Sequence, residues 1–244
     1  MLVYLKPATK IRIAAILSVI LLALGVRAGL SVQGASLETA ARLSPLSRVE
    51  TSELEVGLVV DVTSASSEEV MACLQVLENL EVKATWFLTA TFVEAAEGTV
   101  RELVSKGHEV GIKGTDEKRL DNLPQAEMLD RIKRSRQALM KTSVPTAPFF
   151  YAPGGRFSDA LVSVAFQEGY QSIRPGVDLT GMKGKEADAA RKMAGRISPG
   201  DILGIRVDKK GTLPAEKYLS ALVGRLKEMN LSVVSLSRLF KGVK

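Results

Sequence analysis

The stretch Val56-Gly57-Leu58-Val59-Val60-Asp61-Val62-Thr63-Ser64 decides the architecture. Val56–Val62 is short, apolar and rich in β-branched residues, and it reads as a buried strand. Just beyond it, Ser66 with Glu69 three residues on is a capping-box signature ahead of an apolar helix over Val70–Leu80. A strand handed on to a helix is the unit from which parallel sheets with both faces covered are assembled.

The same alternation continues outward. Further strands are expected at Ala84–Leu88, Glu109–Ile112, Ala147–Tyr151, Gln171–Arg174, Asp201–Val207 and Leu231–Ser235, seven in all with the first. Helical spacing fits Val100–Ser105, Met128–Met140 with Pro124 at its first position, Ser158–Glu168 and Pro214–Met229. This α/β order suits either a closed barrel or an open doubly wound sheet, and spacing does not separate them. In both, reactive side chains belong at the carboxyl ends of the strands. Those ends hold Asp61, Lys113–Glu117, Tyr151–Gly155, Asp178 and Arg206–Asp208.

The chain has 244 residues, 46% of them hydrophobic and 25% charged, which supports one folded domain plus an N-terminal extra. A net charge of +6 suits an acidic surface such as cell wall or anionic lipid. The basic residues are interspersed with acids, which argues against nucleic acid. Cys73 is the sole cysteine, so no intramolecular disulfide forms, and its apolar neighbours make it a core residue.

Residues 1–12 form a basic segment with Lys6, Lys10 and Arg12, and residues 13–30 carry the apolar run Ile13–Val26. Basic-then-apolar order predicts export, with the folded domain outside the cytoplasm, either secreted or membrane-anchored. Val26-Arg27-Ala28 offers a cleavage site, while a span from Ile11 to Leu30 would serve as an anchor, and both remain open. Residues 31–53 read as a polar connector with one helical turn around Leu37–Leu43, and residues 54–244 as the domain.

Six segments together resemble the NodB-homology polysaccharide deacetylases: Gly57–Ser64, Val82–Thr89, Ser105–Gly111, Ala152–Phe157, Glu168–Tyr170 and Ile197–Leu203. The resemblance covers about residues 55–240 and implies a distorted seven-stranded (β/α) barrel, NodB-like. It also implies removal of acetyl groups from chitin or peptidoglycan sugars, with a divalent metal held by one aspartate and two histidines, an aspartate base and a histidine acid.

The motif positions depart from that pattern. Where the family has two adjacent aspartates, Asp61 matches the base and Val62 replaces the metal ligand. Lys113 and Glu117 stand at the two histidine positions, and a protonated lysine has no lone pair for a metal. Tyr151 stands at the arginine that steadies the base, although Pro153 and Gly155 of that loop are kept. Asp178 matches the partner of the acid histidine, and Arg206 stands at that histidine. His108 falls at a non-ligand position and reads as structural.

The resemblance with these replacements implies a pseudoenzyme that binds an N-acetylated envelope glycan or a partner, reaching the membrane through its N-terminal segment. Asp61 is the one catalytic candidate, and Lys113, Glu117, Tyr151, Asp178 and Arg206 are groove candidates. No metal ligand set and no cofactor are expected. In this reading Lys113 takes the metal's place between Asp61 and Glu117 while Arg206 pairs with Asp178. In a plainer reading these charges only solvate a barrel mouth. The alternative is an active hydrolase of N-acetyl groups, with Asp61, Asp116, Glu117 and Asp208 as an all-oxygen site for Mg²⁺, Mn²⁺ or Ca²⁺. Trp86, Phe149 and Phe150 are expected in the core, and Tyr151 in the groove.

Overall fold

Each of the seven expected strands forms in the computed structural model, which describes residues 44–180, 182–209 and 215–242. In chain order these are β1 (Glu55–Val62), β2 (Thr85–Leu88), β3 (Glu109–Ile112), β4 (Thr146–Phe150), β5 (Gln171–Ser172), β7 (Ile202–Val207) and β8 (Ser232–Val234). An eighth, β6 (Val177–Asp178), has two residues and is too short to register as a sequence pattern. The segments read as basic, apolar and as a connector up to residue 43, including the helical turn at Leu37–Leu43, lie outside the described residues.

The helices are α1 (Ser67–Asn79), α2 (Ala90–Ala95), α3 (Glu97–Ser105), α4 (Gln125–Lys141), α5 (Asp159–Gln167), α6 (Glu186–Ala194), α7 (Ala215–Glu228) and α8 (Leu236–Lys241). At the start of α1 the Glu69 carboxylate accepts the Ser66 backbone N–H at 2.6 Å, as the capping signature requires. Pro124 sits one position earlier than expected, as the N-cap of α4. Three helices carry no clear signal in the sequence. In α6 only the small residues Ala190 and Ala194 are buried, so its apolar stripe is faint.

All ladder pairs are parallel, in the order β5-β4-β3-β2-β1-β7-β6, with β8 also on β1. One edge of β1 pairs with β7 over Gly57–Val62. Its other edge is divided between β8 over Glu55–Gly57 and β2 over Val59–Asp61. The sheet curls into the distorted (β/α) barrel, and residues 46–49 lace its gap between β5 and β7.

Leu46 N donates to Ser172 O and Arg174 N to Leu46 O, each at 2.9 Å, while Val49 N donates to Gly200 O at 2.8 Å. Residues 46–49, read from the sequence as the end of the connector, therefore act as part of the sheet. The polar Ser47 and Arg48 side chains conceal this, because the sheet-like bonds are made by the backbone, with the Arg48 guanidinium adding a bond to Pro199 O at 3.1 Å. Gly200 is required here, since its φ is +86° and a Cβ would lie 1.9 Å from Val49 O.

Strand alternation sorts side chains into two buried layers. Leu58, Val60, Val62, Trp86, Leu88, Val110, Ile112, Phe150, Leu203, Ile205 and Val207 pack outward under the helices. Val59, Phe87, Phe149, Tyr151 and Ile202 fill the inside of the curl with Ile173, Leu236 and Leu239. Trp86, Phe149 and Phe150 are thus core residues, as expected, and Cys73 is buried with them.

Opposite the carboxyl ends of the strands, His108 ties β2 to β3. Its Nδ1 accepts both Ala84 N and Trp86 Nε1 at 3.1 Å, which fixes the proton on Nε2, 3.2 Å from Glu78 Oε1. Burial pushes the His108 pKa down, with Glu78 opposing. The neutral form is therefore favoured in the fold, so its contribution is complete above the unfolded value of about 6.5 and is lost as pH falls through the lower folded value. Urea midpoints should fall between pH 7.5 and 5.5, and His108→Gln should remove most of that dependence while lowering stability at both pH values.

Candidate functional site

Asp61, Lys113, Tyr151 and Arg206 meet at the carboxyl ends of four strands because each follows the inward parity of its strand. Asp61 lies two residues after Val59 on β1, and Tyr151 two after Phe149 on β4. Lys113 directly follows β3, two residues after Gly111, whose added Cβ would strike the inward Phe87 at 2.6 Å. On β7, Arg206 is the register partner of Asp61.

Lys113 is fully buried. Its Nζ donates to Val62 O at 2.8 Å, Thr63 Oγ1 at 3.0 Å and Glu117 Oε1 at 2.9 Å, and it lies 2.5 Å from Asp61 Oδ1. An ammonium carries three protons, and Val62, Thr63 and Glu117 take them. Asp61 Oδ1 accordingly has a charge contact with Nζ but no aligned hydrogen bond. The other oxygen, Oδ2, accepts from Arg206 Nε at 3.3 Å, so Asp61 lies between two cations.

The neighbours set the protonation states. Burial pushes the Glu117 carboxyl up while Lys113 pulls it back. Burial, then the Asp61 charge, pushes Tyr151 up to about 12, so its hydroxyl stays protonated at neutral pH. Burial works against the Arg206 charge, but Asp61 outweighs it and the guanidinium is held above its ordinary value.

Above this cluster opens a cleft of about 230 Å³, lined by Asp61, Tyr151, Arg174, Asp178, Thr180 and Arg206 among others. Gly155, with φ of +67°, leaves room for the Tyr151 hydroxyl, which a Cβ would approach to 3.1 Å. Of the sequence-derived groove candidates, Tyr151, Asp178 and Arg206 line the cleft. Lys113 lies buried behind Asp61, and Glu117 opens instead to a neighbouring hollow with Thr89, Thr91 and Lys209.

Two expectations are corrected. Arg206 pairs with Asp61 and not with Asp178, because β6 is in register at Gly204, two residues short of Arg206, whereas Asp61 lies directly across the ladder. Asp178 Oδ1 instead accepts Thr180 N at 2.8 Å. Nor do Lys113 and Asp61 merely solvate a mouth, since their side chains are only 0% and 5% exposed, whereas Asp178 is exposed as the plainer reading has it. Sequence reading missed Arg174 and Thr180. Arg174 falls at a strand end, the signal that could have singled it out.

The residues present do not fit the family's divalent metal. Lys113 Nζ stands in contact with both Asp61 and Glu117, offering charge but no lone pair where a metal would need ligands. The all-oxygen set is not gathered either. Asp116 is drawn to Arg131 at 3.2 Å, and no three His, Cys, Asp or Glu residues converge among the described residues.

The sequence profile of the polysaccharide deacetylases matches residues 48–173. The chain is 20% identical to the uncharacterized protein YlxY of Bacillus subtilis, over 68% of this chain and 51% of that one. It is 23% identical to a peptidoglycan-N-acetylglucosamine deacetylase of Bacillus cereus, over 70% of this chain and 63% of that one. The matches thus span about half to under two thirds of these relatives. Among solved structures, a CE4 family pseudoenzyme from Bacillus anthracis superposes with a TM-score of 0.71 at 23% identity, covering 82% of this chain and 70% of that one. A mutant of that pseudoenzyme has restored enzymatic activity. At these identities the likeness of the structures speaks for the fold alone.

Removing Lys113 would leave the buried Asp61 carboxylate with Arg206 as its one remaining cation among the described residues, and the half-buried Glu117 with none. Lys113→Met should therefore lower the unfolding free energy by about 3–5 kcal/mol in chemical denaturation, far more than a surface lysine substitution.

Proposed function

The chain belongs to the polysaccharide deacetylase family, and we propose that it serves in the cell envelope as a member that binds N-acetylated glycan without metal-dependent deacetylation. The observation that carries this reading is the Lys113 ammonium, fully buried and in contact with Asp61 and Glu117. It supplies the positive charge that those carboxylates would otherwise take from a metal.

Deacetylation by the family's route needs a polarised carbonyl, an activated water and a proton for the leaving amine. In this chain the buried ammonium spends its protons on Val62, Thr63 and Glu117, leaving none for a substrate carbonyl. Asp61 is engaged by Arg206 as well as by Lys113, so both of its oxygens already face a cation. Arg206, at the position of the acid, keeps its proton near neutral pH. What remains is a recognition surface, with the Tyr151 hydroxyl, two guanidiniums, a carboxylate and Thr180 facing one concavity. Directional donors and acceptors of this kind suit sugar hydroxyls and acetamido groups.

Envelope placement is supported by the net charge of +6 and by the basic-then-apolar order of residues 1–30. No helix among the described residues is long and apolar enough to cross a membrane, and residues 13–30 lie outside them.

The test combines metal titration with turnover. The parent protein should bind no Zn²⁺, Co²⁺ or Mn²⁺ stoichiometrically and release no acetate from N-acetylglucosamine tetramer, yet sediment with insoluble peptidoglycan. Lys113→His with Glu117→His, which sets two imidazoles beside Asp61, should bind one Zn²⁺. Acetate release by the parent that disappears in Asp61→Asn would overturn the reading in favour of an active hydrolase.

A further inference from the structure

Behind the cleft the charges balance. Lys113 and Arg206 answer Asp61 and Glu117, so that part of the site has no net demand for a counter-ion. Arg174 is different. It follows β5, lines the cleft, and makes no ion pair or side-chain hydrogen bond among the described residues. Its backbone N–H is fixed to Leu46 O at 2.9 Å, so the lacing of residues 46–49 holds the base of this side chain at the cleft wall.

Arg206 engages a carboxylate only through Nε, and its side chain is 42% exposed on the same cleft. The Asp178 carboxylate shares the cavity but forms no ion pair with either arginine, and its Oδ1 is already occupied by Thr180 N. Among the described residues, a concave wall thus offers one guanidinium without an ion pair beside a second that is only partly engaged. The planar fork of a guanidinium matches the two oxygens of a carboxylate, an interaction worth more than its bonds to neutral hydroxyls.

We propose that the cleft selects glycan units bearing a carboxylate, with Arg174 binding the carboxylate and Arg206 supporting it. Asp178 then accepts a sugar hydroxyl or an amide N–H. This rests on the glycan-binding reading above and adds to it the chemical class of sugar. The net charge of +6 favours approach of such an anionic polymer.

The experiment is calorimetric titration of the full chain in mild detergent with three probes. These are N-acetylglucosamine tetramer, an N-acetylglucosamine–N-acetylmuramic acid tetrasaccharide, and the same tetrasaccharide with its carboxylates converted to amides. The acidic tetrasaccharide should bind roughly tenfold more tightly than its amide. Arg174→Gln should bring that ratio close to one, and Arg174→Lys should keep part of it. Arg174 is exposed, so both variants should fold like the parent, which circular dichroism checks.

Equal affinity for the acid and the amide, or a preference that survives Arg174→Gln, would overturn the carboxylate assignment. If the neutral tetramer then still binds, the broader glycan reading stands. Failure of all three saccharides to bind would remove both. Stronger binding of poly(glycerol phosphate) than of the acidic tetrasaccharide would also count against a carboxylate ligand.

Discussion

The site depends on one buried lysine and the acceptors that surround it. Lys113 Nζ lies among Val62 O, Thr63 Oγ1, Glu117 and Asp61, which brings the ends of β1 and β3 together at the mouth of the barrel. Burying an ammonium is costly, and attraction to two carboxylates with well-directed hydrogen bonds offsets that cost without guaranteeing a net gain in stability. What the arrangement secures is geometry. The Asp61 carboxylate is held from one side by Lys113 and from the other by Arg206, so the groups facing the cleft have settled positions.

The same charge that stabilises the carboxylates changes what the site can do. A divalent ion and an ammonium both neutralise acidic side chains, but only the ion also accepts lone pairs from a water and a carbonyl. An ammonium at such a position keeps the barrel mouth electrostatically satisfied but would supply no Lewis acid. Val62 takes part through its backbone. Its side chain belongs to the outer apolar layer, and its contribution to the site is the backbone carbonyl that accepts from Lys113.

Around that cluster, the gap in the curled sheet is closed by chain that precedes β1. Residues 46–49 satisfy backbone groups of β5 and the approach to β7, the regions a barrel leaves bare when its strands do not meet. Their bonds also anchor the backbone at Arg174, which connects closure of the fold to the wall of the cleft.

The strands, their parallel sense and the places of Asp61 and Arg206 at strand carboxyl ends were legible in the sequence, because apolar β-branched runs and the alternation of strands with helices are local properties. The resemblance likewise implied that Lys113 and Glu117 stand where the family has its metal-binding histidines. Burial of Lys113, the choice of Asp61 over Asp178 as the partner of Arg206, and the exposure of Arg174 in the cleft were decided only by the tertiary structure. The reason is that each depends on register between strands distant in the chain. Asp61 faces Arg206 across the β1–β7 ladder, while β6, two residues long and with no pattern of its own, leaves Asp178 opposite Gly204.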